Sequence, residues 1–364
     1  MPPHPRPVAV SCSVRGVTLH PMSRTTLVLA ILAAALLGAA ILRLLVSGSS
    51  ATYFDIPAAL SIFDLRATRL FSGIAVGAAL GTAGVILQTL LRNPLASPDV
   101  IGVSAGAGLG VMLNLFLSQK AAIATTLATS VVWQFVPAAA GAGAVLALVV
   151  ASAGWTLFRS PRAAMSAPAE PVTLLLTGVV ISVLCSAGVS LLQSLMTDSG
   201  FGTSRLLIGS LDDNIAWVWA GTSAAVIAVA VFLFALLGGR TLDALSLPHD
   251  EAVSVGVNVA RVRLVALVAT GLLCAAAVVI AGPIGFIGLI APHIARITLG
   301  PAHAGHRVLI VAAALAGATV IVGADVLVRV INVGGGRLPL GILTALLGGP
   351  TLIFLLRKES HGRA

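Results

Sequence analysis

The sequence predicts an all-α, polytopic membrane protein, and three observations carry that prediction. Mean hydropathy is +1.08. Of the 364 residues, 58% are hydrophobic and only 9% charged. Apolar runs of about 20 residues, each sufficient to cross a hydrocarbon core of about 30 Å, recur along the whole chain.

Ten spans follow in order, at 24–46, 67–91, 100–118, 131–157, 172–196, 214–238, 262–281, 284–299, 307–331 and 338–357. The fourth belongs to an apolar stretch that begins near Ala121, and the eighth is short and contains Pro292. An even count puts both termini on one side. Aromatics are only 4% while Ala and Gly abound, which favours helices that approach closely through small side chains. Gly73, Gly77 and Gly81 repeat at four-residue spacing, as do Gly102, Gly106 and Gly110.

Cationic loops resist translocation, so the distribution of Lys and Arg orients the chain. With both termini cytoplasmic, that side holds 14 of the 21 cations, and the 12 acids divide evenly. The pI of 11.1 then reflects topology, and no nucleic-acid partner is needed to explain it. Residues 1–21 form a polar, proline-bearing extension without the apolar core of a signal peptide, and both Met1 and Met22 stand as possible starts. Cys12, Cys185 and Cys274 are isolated, with neither metal-ligand spacing nor an evident disulfide pairing. The domain reading is thus an extension 1–21, a transmembrane domain 22–358 with a connector at 240–256, and a short cytoplasmic tail 359–364.

Gly239 to Arg263 form a polar island holding Arg240, Asp243, His249, Asp250, Glu251, Arg261 and Arg263. A helical bundle with one polar handle suggests a transporter worked by a partner. The chain has no phosphate-binding G-x-x-x-x-G-K-[ST] loop and only two lysines, Lys120 and Lys358, so it does not hydrolyse ATP itself. An ion-driven carrier needs intramembrane carboxylates or histidines, and nearly every acid here falls at a helix end or in a loop. Asp325 comes nearest to an exception, with Arg329 one turn later as a local ion-pair partner. In the fifth span Ser182, Ser186, Ser190 and Gln193 recur at helical spacing; they either line a hydrated path or bond back to carbonyls one turn earlier. A membrane-embedded enzyme lacks a nucleophile with a base, or a metal-ligand set.

Three ordered blocks then carry a resemblance. The first runs through Leu65-Arg66-Ala67-Thr68-Arg69, Gly77-Ala78-Ala79-Leu80 and Gln88 to Val103, including Arg92-Asn93-Pro94-Leu95-Ala96-Ser97-Pro98-Asp99. The second joins Asp243 to Leu247, Asp250-Glu251-Ala252 and Gly256-Val257 with Ala281 to Arg296. The third holds Ala324-Asp325, Arg329 and Leu338 to Pro350. Over about residues 60 to 358 these resemble the FecCD/BtuC-type permease subunits of type II ABC importers, which handle iron-siderophores, haem and cobalamin.

The resemblance implies a ten-helix, BtuC-like subunit of the cytoplasmic (inner) membrane, paired with itself or a paralogue. Two ATPase subunits would sit beneath it and a periplasmic or lipid-anchored substrate-binding protein would feed it. No cofactor or metal is expected in the chain, ATP and Mg belonging to the partner ATPase. Membrane lipid is the remaining partner. It assigns ATPase coupling to Leu242, Asp243, Leu245, His249, Asp250, Glu251 and Gly256. Binding-protein docking falls to Arg66, Arg69 and Arg329, and a cytoplasmic gate to Pro171, Val172 and Thr173. Two departures stand out. Pro248-His249-Asp250-Glu251 replaces a common Gly-Glu-Glu, and Arg337 replaces the Glu that commonly precedes Leu-Pro. His293, His303 and His306 read as structural or loop residues. The expected cargo is a ferric siderophore, and the rival from another class is an ion-coupled secondary carrier.

Overall fold

The computed structural model describes residues 24–46, 60–121, 131–152, 171–196, 208–211, 217–247, 249–300, 305–333 and 336–361. The extension 1–21, with Cys12, and His303 lie outside them. In chain order the described helices are α1 (Arg24–Leu45), α2 (Leu60–Leu91), α3 (Val103–Lys120), α4 (Val131–Ser152), α5 (Pro171–Leu195) and α6 (Trp217–Leu233). They continue with α7 (Gly239–Ser246), α8 (His249–Ser254), α9 (Val259–Ala281), α10 (Ile287–Leu299), α11 (Gly305–Val330) and α12 (Leu340–His361). A helix stands at each of the ten expected spans, and the polar island supplies the two short ones, α7 and α8. The remaining regular structure is a two-residue antiparallel pairing of Asn332–Val333 with Gly336–Arg337.

Among the described residues, seven helices are long and apolar enough to cross a membrane, while Ile287–Leu299 and Leu340–Ile353 are shorter apolar helices. The largest departure from expectation is α2. Its 32 residues begin at Leu60 rather than 67, giving a rod of about 48 Å that carries Asp64, Arg66 and Arg69 inside the helix. Hydropathy stops at charged residues, but the helix continues through them because its arginines are engaged by neighbouring elements.

Helix α2 forms the centre of the bundle, packed against α11, α9, α6 and α10. Its apolar window is 83% buried, as expected of a helix that is apolar on all sides. Close approach explains the glycine repeats. A Cβ at Gly77 would lie 2.3 Å from the Gly317 carbonyl oxygen, and one at Gly81 2.3 Å from that of Ala313. On α3, a Cβ at Gly110 would stand 2.1 Å from the Pro137 carbonyl oxygen on α4. Backbone thus meets backbone where any larger residue would force the helices apart. Gly102 differs: it precedes α3 with φ +85, a left-handed conformation that favours glycine.

Candidate functional site

One end of the bundle carries α7 and α8, reached through a π-helical turn, Phe234–Gly238, that ends α6. Helix α7 is amphipathic, and its apolar side points inward: Leu242 is 1% and Leu245 4% exposed. These two residues were expected at the partner-facing surface. Within this chain both are buried, and they anchor α7 to the bundle.

Asp243 also faces the chain's own bundle. One of its carboxylate oxygens accepts the His306 backbone N–H at 2.8 Å and the His306 Nδ1–H at 2.6 Å, at the first turn of α11. A carboxylate there also meets the positive end of the α11 dipole. On the far side of the ring, His306 Nε2 lies 3.0 Å from the Thr89 hydroxyl on α2. His306 is therefore not a loop bystander: its ring bridges α7 to the central helix. Arg92, just beyond α2, donates to the carbonyls of Leu245 at 3.1 Å and Leu247 at 2.5 Å, neutralising the end of α7. Arg307 donates to the Leu236 carbonyl at 2.6 Å within the π turn. Thr89, Arg92, His306 and Arg307 were missed as functional candidates; the signal available was their position beside helix ends on the same predicted side as the island.

The outer part of this end is formed by α8 and its exit. Glu251 and Gly256 are exposed, and Val255 is 67% exposed. Gly256 has φ +83, and the Val257 N–H returns to the Ala252 carbonyl at 3.2 Å, closing α8 in a Schellman-type cap. Asn258 then caps α9, its side-chain oxygen accepting the Arg261 N–H at 3.0 Å. The side chains of His249 and Asp250 lie outside the described residues.

The opposite end holds a buried cluster of charge. Asp325 on α11 is 1% exposed and is gripped by Arg43 from α1 and, at 3.2 Å, by Arg69 from α2. Its carboxylate is thus held across three helices. Arg66 donates to the Leu44 carbonyl at 2.5 Å. Arg66 and Arg69, assigned by the resemblance to binding-protein docking, are 4% and 7% exposed within this chain. Arg329 is half-buried.

Between these ends the first and second sequence blocks meet. Gln88 donates to the Gly288 carbonyl at 3.3 Å and accepts from Arg296 at 2.6 Å. Asp99, in the connector after α2, accepts the Phe286 N–H at 2.9 Å. Burial pushes the Asp99 carboxyl above the ordinary range, and the Phe286 N–H pulls it back toward the charged form. Phe286 itself has φ 68, so the turn into α10 is strained and Asp99 holds it.

On α5, Ser186 and Ser190 donate to the carbonyls of Ser182 and Ser186 at 2.8 and 3.1 Å, while Ser182 reaches the Asp99 carbonyl at 3.5 Å. The hydroxyls back-bond, yet Ser186 and Ser190 remain on an exposed face, with Gln193 half-buried beside them. Pro171, Val172 and Thr173 form the first turn of α5, and their side chains lie outside the described residues.

The sequence model of the FecCD transport family matches residues 25–358. The chain belongs to the FecCD transport family. It is 36% identical over 308 residues to the ferric enterobactin transport system permease protein FepD of Escherichia coli (strain K12), covering 83% of this chain and 84% of that one. It is 33% identical over 302 residues to the hemin transport system permease protein HmuU of Yersinia pestis, covering 83% and 84%. Among solved structures it is similar to an inward-facing conformation of a metal-chelate type ABC transporter, with TM-score 0.71, 30% identity, and coverage of 92% of this chain and 99% of that one. As a family member it is a non-catalytic, multi-pass membrane subunit of an ABC transporter, and ATP hydrolysis resides in a separate subunit.

Proposed function

We propose that this chain is the permease subunit of an ATP-driven importer that moves a ferric siderophore across the cytoplasmic membrane, with both termini inside. One observation carries the reading: a polar two-helix segment sits at one end of an apolar bundle, tied to the central helix and to α11 by named hydrogen bonds while its tip stands exposed. A lever needs a fixed inner side and a free outer one. Leu242, Asp243 and Leu245 supply the inner side; Glu251, Val255 and Gly256, with His249 and Asp250, supply the surface for an ATPase cleft. Two ATPase subunits act on two permease subunits, the second copy being this chain or a paralogue.

At the other end, a binding protein docks on an arginine-rich face. Arg329 stands at its edge, while Arg66 and Arg69 shape it from within. The Ser182, Ser186, Ser190 and Gln193 face of α5 lines the pathway and the first turn of α5 forms its inner gate. Ferric siderophores are preferred over haem or cobalamin because Arg92-Asn93-Pro94-Leu95-Ala96-Ser97-Pro98-Asp99 most resembles the siderophore-handling members of the family.

Co-reconstitution with the cognate ATPase and binding protein tests the reading. Labelled ferric siderophore is expected to accumulate only with ATP, and a protonophore is expected to leave accumulation intact while ATP is maintained. Uptake driven by an ion gradient alone would overturn it. Gly256→Arg, placed where none of the described residues lies within 4 Å of an added Cβ, is expected to abolish coupling, whereas Gly256→Asn tolerates the left-handed backbone and retains it.

A further inference from the structure

Between α4 and α9 runs an open apolar groove of about 280 Å³, on the half of both helices nearest α7 and α8. Leu146 and Gly271 form its floor: a Cβ at Gly271 would lie 3.1 Å from Leu146 Cδ1, so the helices touch there. One wall is built from small residues of α4, Gly143 and Ala147, and the other from Leu264 and Val268 of α9, which are 55% and 51% exposed. The lining on α4 extends from Ala139 to Val150, a depth of about 16 Å, close to half of a hydrocarbon core of about 30 Å.

Along the described residues of α4 and α9, the charge near its mouth is of one sign. Arg261 is exposed, and it lies three residues before Leu264 and seven before Val268, so it shares their face of α9. Arg263 follows in the same turn, and the exposed face carries no acid between Arg261 and Ala281. A channel one leaflet deep, apolar throughout and capped by cations, matches a phospholipid with an anionic headgroup. A second copy of this chain would instead bring another apolar helix, leaving the arginine without a counter-charge.

We propose that the α4–α9 groove is a binding site for an anionic phospholipid, with one acyl chain along Gly143, Ala147, Leu264 and Val268 and the phosphate at Arg261. The lipid fills the groove on the side from which α7 and α8 are worked, and so lies against the same helix, α9, that receives the exit from α8. Its headgroup meets Arg261 at a guanidinium suited to phosphate oxygens, and its chain covers apolar surface that no described helix covers.

The test uses the full-length protein purified in mild detergent and examined by native mass spectrometry. One phospholipid per chain is expected to survive purification. In exchange with phosphatidylglycerol and phosphatidylcholine, phosphatidylglycerol is expected to be retained at least several-fold better. Gly143→Leu adds a side chain where a Cβ meets nothing within 4 Å, so it fills the groove without disturbing the fold and is expected to remove the bound lipid. Arg261→Gln is expected to erase the preference for the anionic headgroup while leaving chain occupancy. Equal lipid retention by Gly143→Leu, or equal retention of the two lipids by the unaltered chain, would overturn the site. So would efficient cross-linking between two copies through Ala147→Cys, which would give the groove to a partner helix instead.

Discussion

At Asp325, a carboxylate withdrawn from solvent is compensated by guanidinium groups from two other helices, and removing the carboxylate leaves both cations in an apolar setting. Loss of one member of a buried ionic set costs about 3–5 kcal/mol, far more than an exposed pair contributes. Asp325→Ala is therefore expected to lower the thermal unfolding midpoint of the purified protein markedly, and an unchanged midpoint would mean that Arg43 and Arg69 rely on other acceptors. Asp99 offers a contrast, because its main acceptor duty is to one backbone N–H. Asp99→Asn keeps an oxygen for Phe286 and removes the buried charge, so near-normal stability is expected, whereas Asp99→Ala strands the N–H at about 1–3 kcal/mol. Melting curves of the two variants side by side decide between these outcomes. The sequence made Asp325 visible as the acid nearest to an intramembrane one, and Asp99 as part of the first motif block. Their partners were not visible, since Arg69 and Arg43 lie 256 and 282 residues away along the chain.

Among elements, α7 is the one whose attachment would, on the proposed function, decide how motion enters the bundle. Its ties are directional: Asp243 binds the start of α11 through His306, the same ring reaches Thr89, and Arg92 holds the end of α7. Removing the ring while leaving α8 exposed should loosen the lever without altering the docking surface. In a reconstituted transporter, His306→Ala is expected to keep substantial ATP hydrolysis while substrate moved per ATP falls several-fold. His306→Gln, which can still donate to Asp243, is expected to recover part of that loss, and Thr89→Val to show a smaller loss. If transport and hydrolysis fall in proportion in all three, the ring is merely structural. The cap at Asn258 is worth about 1 kcal/mol, so Asn258→Ala should show little effect beyond a modest drop in stability. Helix existence was legible throughout, because an apolar run of bilayer length leaves few alternatives. The start of α2 was not, since hydropathy cannot register arginines that are neutralised by distant helices. The serine repeat on α5 was legible as a periodic face, and its back-bonding geometry became definite only with the helix in place.

At the scale of the whole molecule, the two ends of α2 are held by different elements of the chain. Residues Thr89 and Arg92 meet α7 and α11 at one end, while Arg69 meets Asp325 at the other. On the proposed function, a central helix joining both ends is a physical route by which docking at one end and force at the other would influence one another. Orientation is open to a direct check. Val255→Cys, exposed beside Gly256, is expected to react with an impermeant thiol reagent only from the cytoplasmic side, and labelling from outside would reverse the assignment. Buried Cys185 and Cys274 are free thiols shielded in the bundle, and Cys12 is replaced by serine in the labelling variant so that Val255→Cys is the reporting thiol.

The sequence by itself determined the membrane class, the order of the ten spans, the place of the polar segment and the family, because hydropathy, charge bias and ordered motif blocks are properties of local chain. Tertiary structure decided which side chains serve that polar segment and which hold it in place. Leu242 and Leu245 turn inward, His306 becomes a bridge, and Arg66 and Arg69 leave the surface. The reason is geometric: periodicity specifies which face of a helix is apolar, but the identity of the neighbour across that face depends on the register in which distant helices pack.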